Sequence, residues 1–336
     1  MALNGDANST GEAGIIQHYF APLAAGFAGA LGLVDDAAVI APPPGFDLVV
    51  SVDAVASGVH FFPDDAAADI GWKALAVNVS DLIAKGAAPH AYVMSIAFPD
   101  PPEASWLVGF ATGLAEAQRA FGISLAGGDT DRRPGPLSVT ITAFGFVPSG
   151  RMVRRATANS GDHIFVSGTL GDSALGLKQR LETESGAPLS IGGAHRSDLL
   201  SRYFRPRPPL ALVPVLRDYA SASMDISDGL VKDLTRMVDA SGTGALIDTE
   251  TFPLSEAARA VLALNAAELE TIATGGDDYQ VLTTVHPVDV PSFMSAAKGA
   301  GVTVTQIGRI VQGSGVIIIG PDGAPITFAK PGHDHF

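Results

Sequence analysis

Apolar residues recur along the chain first with the period of a helix and then with that of a strand, which predicts a series of alternating elements. The elements predicted in the first part are a helix over 15–30, a strand over 47–53, a helix over 67–84, a strand over 91–98, a helix over 103–121 and a strand over 123–126. Gly86 is expected to stop the second helix. The last of these strands runs into Gly127-Gly128-Asp129.

The pattern changes near 148–161, where glycine and proline bound a stretch flanked by arginines. Residues 137–147 alternate and predict a strand, which disfavours a purely parallel sheet. The elements predicted beyond the change are strands over 163–167, 221–226, 280–285 and 316–319 and a helix over 228–240. We therefore expect an α/β (α+β) fold with mixed sheets. It would comprise a flexible tail over 1–12, an N-terminal domain over 13–150 and a C-terminal domain over 151–336.

The composition supports two packed domains and excludes several functional classes. The chain has 336 residues, 47% of them hydrophobic, and domains usually hold about 100–200 residues. A formal net charge of −14 disfavours nucleic-acid binding, because phosphates repel an acidic surface. The absence of cysteine excludes disulfides and thiolate sites. No signal peptide is recognisable, and no apolar run reaches the ~20 residues of a membrane helix, so a cytoplasmic protein without membrane contact is expected.

Carboxylates stand beside glycine or at predicted strand ends in six places. These are Asp35-Asp36, Asp53, Asp81, Gly127-Gly128-Asp129, Asp225-Ile-Ser-Asp228-Gly and Gly275-Gly276-Asp277-Asp278. Strand ends are where loops present ligands in α/β folds. An oxygen-only set of donors suits Mg²⁺, which bridges to phosphate oxygens. Any single aspartate could instead be a helix cap or a turn former.

The predicted helix over 67–84 places Asn78 and Asp81 on one face, three residues apart. The rest of this helix is mostly apolar, and a buried acid is costly unless it is paired or bound to metal. Asp81 is thus either a metal ligand or an acid at the end of a helix. Lys73 either pairs with a neighbour or is solvated.

Several familiar nucleotide and hydrolase signatures are missing. The chain has no GxxxxGK frame, no GxGxxG after a strand, no HRD or DFG and no HExxH. Ser227 stands in a tight turn but lacks the leading glycine of a nucleophile elbow. If the chain binds ATP, it does so with an uncommon fold.

Taken in order, the motifs resemble those of the thiamine-monophosphate kinase family, within the superfamily that includes aminoimidazole ribonucleotide synthetase and selenophosphate synthetase. The matching segments are DDAAVI (35–40), SVDAVASGVHF (51–61), GWKALAVNVSDLIAKGAAP (71–89), GGDT (127–130), VSGTLGDSALGL (166–177), RPRPPL (205–210), MDISDGLVKDL (224–234), GGDDYQVL (275–282) and GHDHF (332–336). They span nearly the whole chain, and their order is more specific than any one of them.

The resemblance implies two α/β domains per subunit, a homodimer formed by the N-terminal domains, and ATP in an acid-lined groove. It implies ATP-dependent phosphorylation of thiamine phosphate to thiamine diphosphate, assisted by Mg²⁺. The metal ligands it implies are Asp36, Ser51, Val52 through its carbonyl, Asp53, Asp81, Asp129, Asp225 and Asp228. The nucleotide contacts it implies are Gly128, Asp129, Arg155 and Ser227. The acceptor contacts it implies are His60, Asp277 and His333.

Three positions depart from the family pattern. Val34 replaces a glycine, Asp277 replaces a glutamate, and His333 replaces an aromatic residue of the tail. The last two are positions that the resemblance assigns to acceptor binding. Asp277 could also simply cap the turn at Gly275-Gly276.

The chemistry of a phosphorylated acceptor agrees with this set of residues. Its second pKa is about 6, so the phosphate is largely ionised and needs no general base. Bound Mg²⁺ would offset the repulsion between two anions, and Arg155 would hold phosphate oxygens or be a solvated arginine.

The alternatives are related ATP-using enzymes and a non-catalytic protein. Selenophosphate synthetase and the hydrogenase-maturation relative rely on cysteine or selenocysteine, which this chain lacks. Aminoimidazole ribonucleotide synthetase lacks the motif match. A non-catalytic nucleotide- or metal-binding protein remains open, although it would not need the acids together with Ser227 and Arg155.

Overall fold

The structure is a computed structural model that describes residues 11–186, 189–330 and 332. The chain divides into two compact units. The N-terminal unit comprises Met1–Leu82 and Ala87–Gly150, and the C-terminal unit comprises Ile83–Gly86 and Arg151–Phe336. Residues 1–10 of the predicted tail lie outside the described residues, and the first helix begins at Glu12. No helix of the described residues is long and apolar enough to cross a membrane.

The N-terminal unit contains four helices and four strands among its described residues. They are α1 (Glu12–Ile15), α2 (Ala21–Ala24), β1 (Phe46–Ala56), α3 (Ala67–Ala84), β2 (Ala88–Phe98), α4 (Ala104–Phe121), β3 (Ser124–Arg132) and β4 (Ser138–Pro148). The strands form a sheet in the order β1-β4-β2-β3. Only the β2–β3 pair is parallel, so the sheet is mixed, as the alternation over 137–147 predicts.

Two predictions for this unit are wrong in detail. The single helix expected over 15–30 is broken into α1, a π-helical turn (Ile16–Phe20), α2 and a 3₁₀ segment (Ala28–Leu33). Pro22 stands at the start of α2 and restarts the helix there. The strand expected over 123–126 runs on through Gly127-Gly128-Asp129, so these residues lie within β3 rather than after it. By contrast, α3 has the predicted ends.

The C-terminal unit carries a larger sheet with helices between its strands. Its elements are β5 (His163–Ser167), α5 (Asp172–Glu184), α6 (Gly193–Phe204), α7 (Val213–Tyr219), β6 (Ala220–Asp225), α8 (Leu230–Ser241), β7 (Gly244–Asp248), α9 (Glu256–Leu264), α10 (Glu268–Thr274), β8 (Val281–Val285), α11 (Val290–Gly299), β9 (Val304–Val311), β10 (Gly315–Ile319) and β11 (Pro325–Ile326). Short 3₁₀ segments cover Leu210–Leu212 and Thr249–Thr251.

The sheet order in this unit is β11-β10-β7-β9-β5-β8-β6, and only the β10–β7 pair is parallel. The mixed sheets that the sequence predicts are therefore present in both units. Strand β6 lies at one edge, ends at Asp225, and is followed by a short loop and α8. Helix α8 buries Leu230, Leu234 and Met237 in the core, which holds the preceding loop at the sheet edge.

Candidate functional site

The predicted metal ligands of β1 meet α3 in the N-terminal unit. Ser51 Oγ donates a hydrogen bond to Asp81 Oδ2. The backbone N–H of Asp53 donates to Asn78 Oδ1 at 2.8 Å. Because Asn78 and Asp81 are three residues apart, they share the helix face that contacts β1. We call Ser51, Asp53, Asn78 and Asp81 the Ser51 group.

Asp81 lies in the last turn of α3, where the negative end of the helix disfavours another negative charge. Its hydrogen bond with Ser51 offsets part of that cost. Val52 stands between the two ligands of β1, and its side chain is 57% exposed on the other face of the strand. Only its backbone carbonyl is therefore placed to take the role that the resemblance implies.

His60 follows β1 and is tied back to it. Its Nδ1 accepts a hydrogen bond of 3.1 Å from the backbone N–H of Ala56, so in the neutral ring the proton is on Nε2. The carbonyl of His60 accepts a 3.0 Å hydrogen bond from Lys73 Nζ. Lys73 is buried, so of the two possibilities left by the sequence, pairing with a neighbour is correct.

A cleft of about 370 Å³ lies at β3, the edge strand opposite β1. It is lined by Ile16, Phe20, Ala30, Leu33, Asp35, Asp36, Ala37, Ala38, Val93, Met94, Leu125, Ala126, Gly127, Gly128, Asp129 and Thr130. The structure thus brings Asp36, Gly128 and Asp129 to one cavity, whose apolar wall includes two residues of the π-helical turn. We call this cavity the Asp129 cleft.

Gly128 is required by the close approach of β3 to β2. A Cβ at this position would lie 1.9 Å from the carbonyl oxygen of Met94. At Gly127 the nearest atom would be Val93 Cγ1 at 3.9 Å, an ordinary contact. The first glycine of the pair is thus tolerant of a side chain, and the second is not.

The Ser51 group and the Asp129 cleft do not form one cluster. The register aligns Asp53 with Ile141, Ile141 with Met94, and Met94 with Gly128, across all four strands. Three strand spacings of about 4.8 Å separate the two edges, or roughly 14 Å. Within residues 11–186, 189–330 and 332, no three His, Asp or Glu side chains stand together as a ready metal site.

In the C-terminal unit, the loop from Asp225 to Asp228 is fixed from the α8 side. The backbone N–H groups of Ser227 and Asp228 donate to Asp233 Oδ2 at 3.0 and 2.9 Å. Arg236 Nη1 lies 2.5 Å from Asp228 Oδ2 and 3.0 Å from Asp233 Oδ1. Asp225 itself is buried at the end of β6. We call Asp225–Asp228 the β6–α8 loop.

Asp233 is the residue that sequence reasoning missed here. It is fully buried, and burial raises the pKa of its carboxyl to about 6, although the hydrogen bonds from the Asp228 and Ser227 amides and the charge of Arg236 oppose this. Its signal was present in the quoted segment SDGLVKDL, where a second acid follows Asp228 by five residues. Nothing in the sequence alone distinguishes that acid from a solvated one.

The two adjacent acids at 277 and 278 have different surroundings. The Asp277 backbone is left-handed (φ 62°), its N–H donates to the Ser227 carbonyl at 2.8 Å, and Tyr279 Oη donates to Asp277 Oδ1 at 3.0 Å. Asp278 is buried and accepts from the Gly171 N–H at 2.9 Å, at the start of α5. Burial raises the pKa of Asp278 well above its usual value. Asp278 is therefore a structural acid, and Asp277 lies beside the β6–α8 loop.

The remaining predicted residues are separate from these contacts. Arg155 is exposed, and its carbonyl accepts a 3.1 Å hydrogen bond from Ser241 Oγ at the end of α8. His333 lies outside the described residues.

Comparisons with known proteins decide the family. The N-terminal domain of AIR synthase related proteins matches residues 34–147, and the C-terminal domain of the same proteins matches residues 159–320. A thiamine-monophosphate kinase from Caulobacter vibrioides is 41% identical over 298 residues, which are 88% of this chain and 82% of the relative. This chain belongs to the thiamine-monophosphate kinase family.

Solved structures of the thiamine-monophosphate kinase family have the same fold. The enzyme from Stenotrophomonas maltophilia K279a is 38% identical, with a TM-score of 0.79 over 88% of this chain and 91% of that chain. A second structure, AaThiL complexed with AMPPCP and TMP, is 30% identical, with a TM-score of 0.76 over the whole of both chains.

The donors in these three places fit Mg²⁺ by their chemistry. The Ser51 group, the Asp129 cleft and the β6–α8 loop offer only oxygen ligands, which suit a hard cation. Mg²⁺ is usually held by one or two carboxylates together with waters and substrate phosphates, rather than by a cage made of protein alone.

Proposed function

We propose that this chain transfers the γ-phosphoryl group of ATP to thiamine phosphate, with Mg²⁺ bound to its aspartates. The observation that carries the proposal is the relative that matches the whole chain and holds AMPPCP, an ATP analogue, together with TMP. An oxygen of the acceptor phosphate would bond to the γ-phosphorus as the bond to the β–γ bridging oxygen breaks. The products are ADP and thiamine diphosphate.

Such an acceptor needs no general base, and we assign none. A phosphate monoester is largely dianionic near pH 7, because its second pKa is near ~6. The reaction needs charge neutralisation and alignment more than proton transfer. Mg²⁺ supplies both when it is bound, as a Lewis acid that coordinates phosphate oxygens.

We assign the protein ligands of the metal ions to three places. In the N-terminal unit these are the Ser51 group with the Val52 carbonyl, and the Asp129 cleft with Asp36. In the C-terminal unit they are Asp225 and Asp228 of the β6–α8 loop. The hydrogen bond of Ser51 to Asp81 and the ion pair of Asp228 with Arg236 support the assignment, because each holds a charged side chain in a defined position.

Nucleotide and acceptor contacts follow the resemblance and the geometry together. Gly128 and Asp129 line a cleft large enough for part of a nucleotide, and pockets for small ligands begin at about 300 Å³. The further nucleotide contacts that the resemblance implies, Ser227 and Arg155, belong to the C-terminal unit. His60, Asp277 and His333 would contact thiamine phosphate, with Tyr279 orienting the Asp277 carboxylate.

We also propose that the protein is a homodimer that pairs through β1. Phe46, Leu48, Val50 and Val52 alternate along this edge strand, and their exposed fractions are 40%, 39%, 52% and 57%. Their antiparallel partners on β4 include Phe144 and Phe146, which extend the apolar face. A two-fold axis would place the same patch of a second copy against it. A cytoplasmic location remains a prediction of the sequence.

The reaction is tested by measuring ADP release and thiamine diphosphate formation with Mg·ATP and thiamine phosphate. Product formed in equal amounts with ADP is expected. Activity only with the formylglycinamidine precursor of aminoimidazole ribonucleotide would favour the synthetase, and nucleotide binding without turnover would indicate a non-catalytic protein.

The metal is tested by chelation. Excess EDTA should abolish turnover, added Mg²⁺ or Mn²⁺ should restore it, and thermal unfolding should be nearly unchanged, since each unit has a hydrophobic core of its own. Full turnover in excess chelator would contradict a metal mechanism.

A further inference from the structure

Asp233 is a buried carboxylate whose contacts all serve the β6–α8 loop and its counter-ion. It lies in the first turns of α8 and is fully buried. Its Oδ2 accepts the Ser227 and Asp228 amides, and its Oδ1 accepts from Arg236. A charge without solvent is costly unless it is fully paired, so this position is strongly constrained.

We infer that Asp233 is a positioning residue that sets the direction of Ser227 and Asp228 toward the Mg·nucleotide. The inference rests on the proposed function, because it takes these two residues as ligands. Two N–H groups converging on one oxygen fix two successive peptide planes. The Cα–Cβ direction of Ser227 follows from those two planes. The second plane also places the Cα of Asp228, whose carboxylate is then held by Arg236. Asp233 therefore positions both residues without needing to touch the ligand.

The other side of the same loop is fixed by backbone alone. The Ser227 carbonyl accepts from the Asp277 N–H, and the Ile226 carbonyl accepts from the Tyr279 N–H, both at 2.8 Å. At Gly276 a Cβ would lie 2.4 Å from the Ser227 oxygen, so the two segments are in close contact. Side-chain substitutions leave these backbone hydrogen bonds in place. The hydrogen bonds to the loop that a substitution can remove are therefore those accepted by Asp233.

Arg236 connects the positioning residue to the proposed ligand. It pairs with both Asp228 and Asp233, and its side chain is 43% exposed. Its charge balances two acids, one in the loop and one in the first turn of α8, that would otherwise repel each other. Arg236 therefore also restricts the position of the Asp228 carboxylate.

The ordinary alternative is that Asp233 only stabilises the start of α8. An acid in the first turn that accepts amides before the helix stabilises the folded state, as the acid of a capping box does. In that case its removal would lower stability and leave metal affinity unchanged. The two roles therefore predict different metal affinities for a variant that remains folded.

The decisive experiment measures Mn²⁺ binding by electron paramagnetic resonance with ADP present, beside Mg²⁺ activation of turnover. Asp233→Asn keeps the shape but replaces one acceptor oxygen with a donor. We expect its Mn²⁺ dissociation constant and its Mg²⁺ activation constant to rise about 10–100-fold, as for other residues that orient metal ligands. Asp239→Asn, an exposed acid on the same helix, should leave both constants unchanged. Unchanged constants in folded Asp233→Asn would overturn the inference.

A second variant decides the matter if Asp233→Asn does not fold. Arg236→Gln alters a half-exposed side chain and removes the contact on Asp233 Oδ1. If Asp233 positions the loop, Arg236→Gln should bind Mn²⁺ more weakly than the wild-type protein. Its amide hydrogens over 226–229 should also exchange faster. Charge alone predicts tighter binding, since a cation beside Asp228 is lost, and that result would overturn the inference. If the wild-type protein does not phosphorylate thiamine phosphate, the proposed reaction is wrong. The measurements of Mn²⁺ binding and hydrogen exchange would still decide the role of Asp233.

Discussion

The acids of the two units are held in different ways. In the N-terminal unit, Asp53 and Asp129 lie on opposite edge strands of a four-stranded sheet, both in exposed positions. In the C-terminal unit, Asp225 and Asp228 belong to one short loop that is tied to α8 and to the segment around Asp277. The same kind of side chain is thus dispersed in one unit and tightly organised in the other.

This difference indicates how each unit would meet a metal–nucleotide complex. Acids that are dispersed in this way make few contacts with one another in the folded protein. Substituting one of them should therefore affect turnover much more than folding. An organised loop has already lost its conformational freedom in the folded protein. Part of the conformational entropy that ligand binding would otherwise cost is therefore lost during folding instead. Changes in the loop should therefore affect both stability and turnover.

The largest effect is expected from Asp53→Asn, Asp129→Asn and Asp228→Asn. Each should lower kcat about a hundredfold to a thousandfold, as loss of a group that stabilises developing charge does. Only Asp228→Asn should also destabilise the fold, by up to about 1 kcal/mol, because it loses its ion pair with Arg236. Steady-state kinetics and urea unfolding measure the two quantities, with exposed Asp100→Asn as control. Near wild-type rates for all three variants would mean that the acids only form turns.

The glycine pair of β3 offers a sharper test within the N-terminal unit. Gly128→Ala should destabilise the fold by about 1–3 kcal/mol and lower activity, since the new methyl group meets the Met94 carbonyl and pushes β3 away from β2. Gly127→Ala is the matched control and should change little, because its Cβ has room. The free energy of unfolding, measured by chemical denaturation, and the KM for ATP distinguish the two variants. Equal behaviour of the two variants would show that the β2–β3 approach does not shape the cleft.

A smaller effect is expected at Asp277, the proposed acceptor contact beside the β6–α8 loop. Tyr279→Phe removes the hydrogen bond to Asp277 Oδ1, worth about 1 kcal/mol, or roughly fivefold in binding. The KM for thiamine phosphate should rise by that factor and the KM for ATP should not. Asp277→Ala should raise the acceptor KM further, and Tyr219→Phe on α7 is the control. If Asp277→Ala changes stability but not the acceptor KM, this acid is a turn former.

The smallest effect on turnover is expected from the exposed face of β1. Val50→Arg should convert the dimer to a monomer, because it places a charge within the apolar row. Light scattering at micromolar concentration measures the mass. Leu264→Arg introduces the same charge at a residue of α9 that is 62% exposed, and this variant should remain dimeric. A wild-type monomer mass would contradict the proposed interface directly.

Much of the fold follows from local pattern, and the exceptions have physical causes. Helix α3 has its predicted ends because its long apolar run is stopped by Gly86, whose φ is 69°. The segment over 15–30 shows similar periodicity, yet Pro22 removes a backbone donor and interrupts it. The strand β3 extends through two glycines because β2 pairs with it, and pairing with a distant strand is invisible to a local pattern.

The sequence by itself determined the kinds of side chain, their order and the family to which they point. Only the tertiary structure decided which acids share surroundings. Sheet register places Asp53 and Gly128 on opposite edges, and burial makes Asp278 a structural acid while its neighbour Asp277 joins the β6–α8 loop. The same holds for Asp233, whose importance comes from two amides that meet its carboxylate when α8 packs. Residue type sets what chemistry is possible, but distance, desolvation and hydrogen-bond partners exist only once the chain is folded.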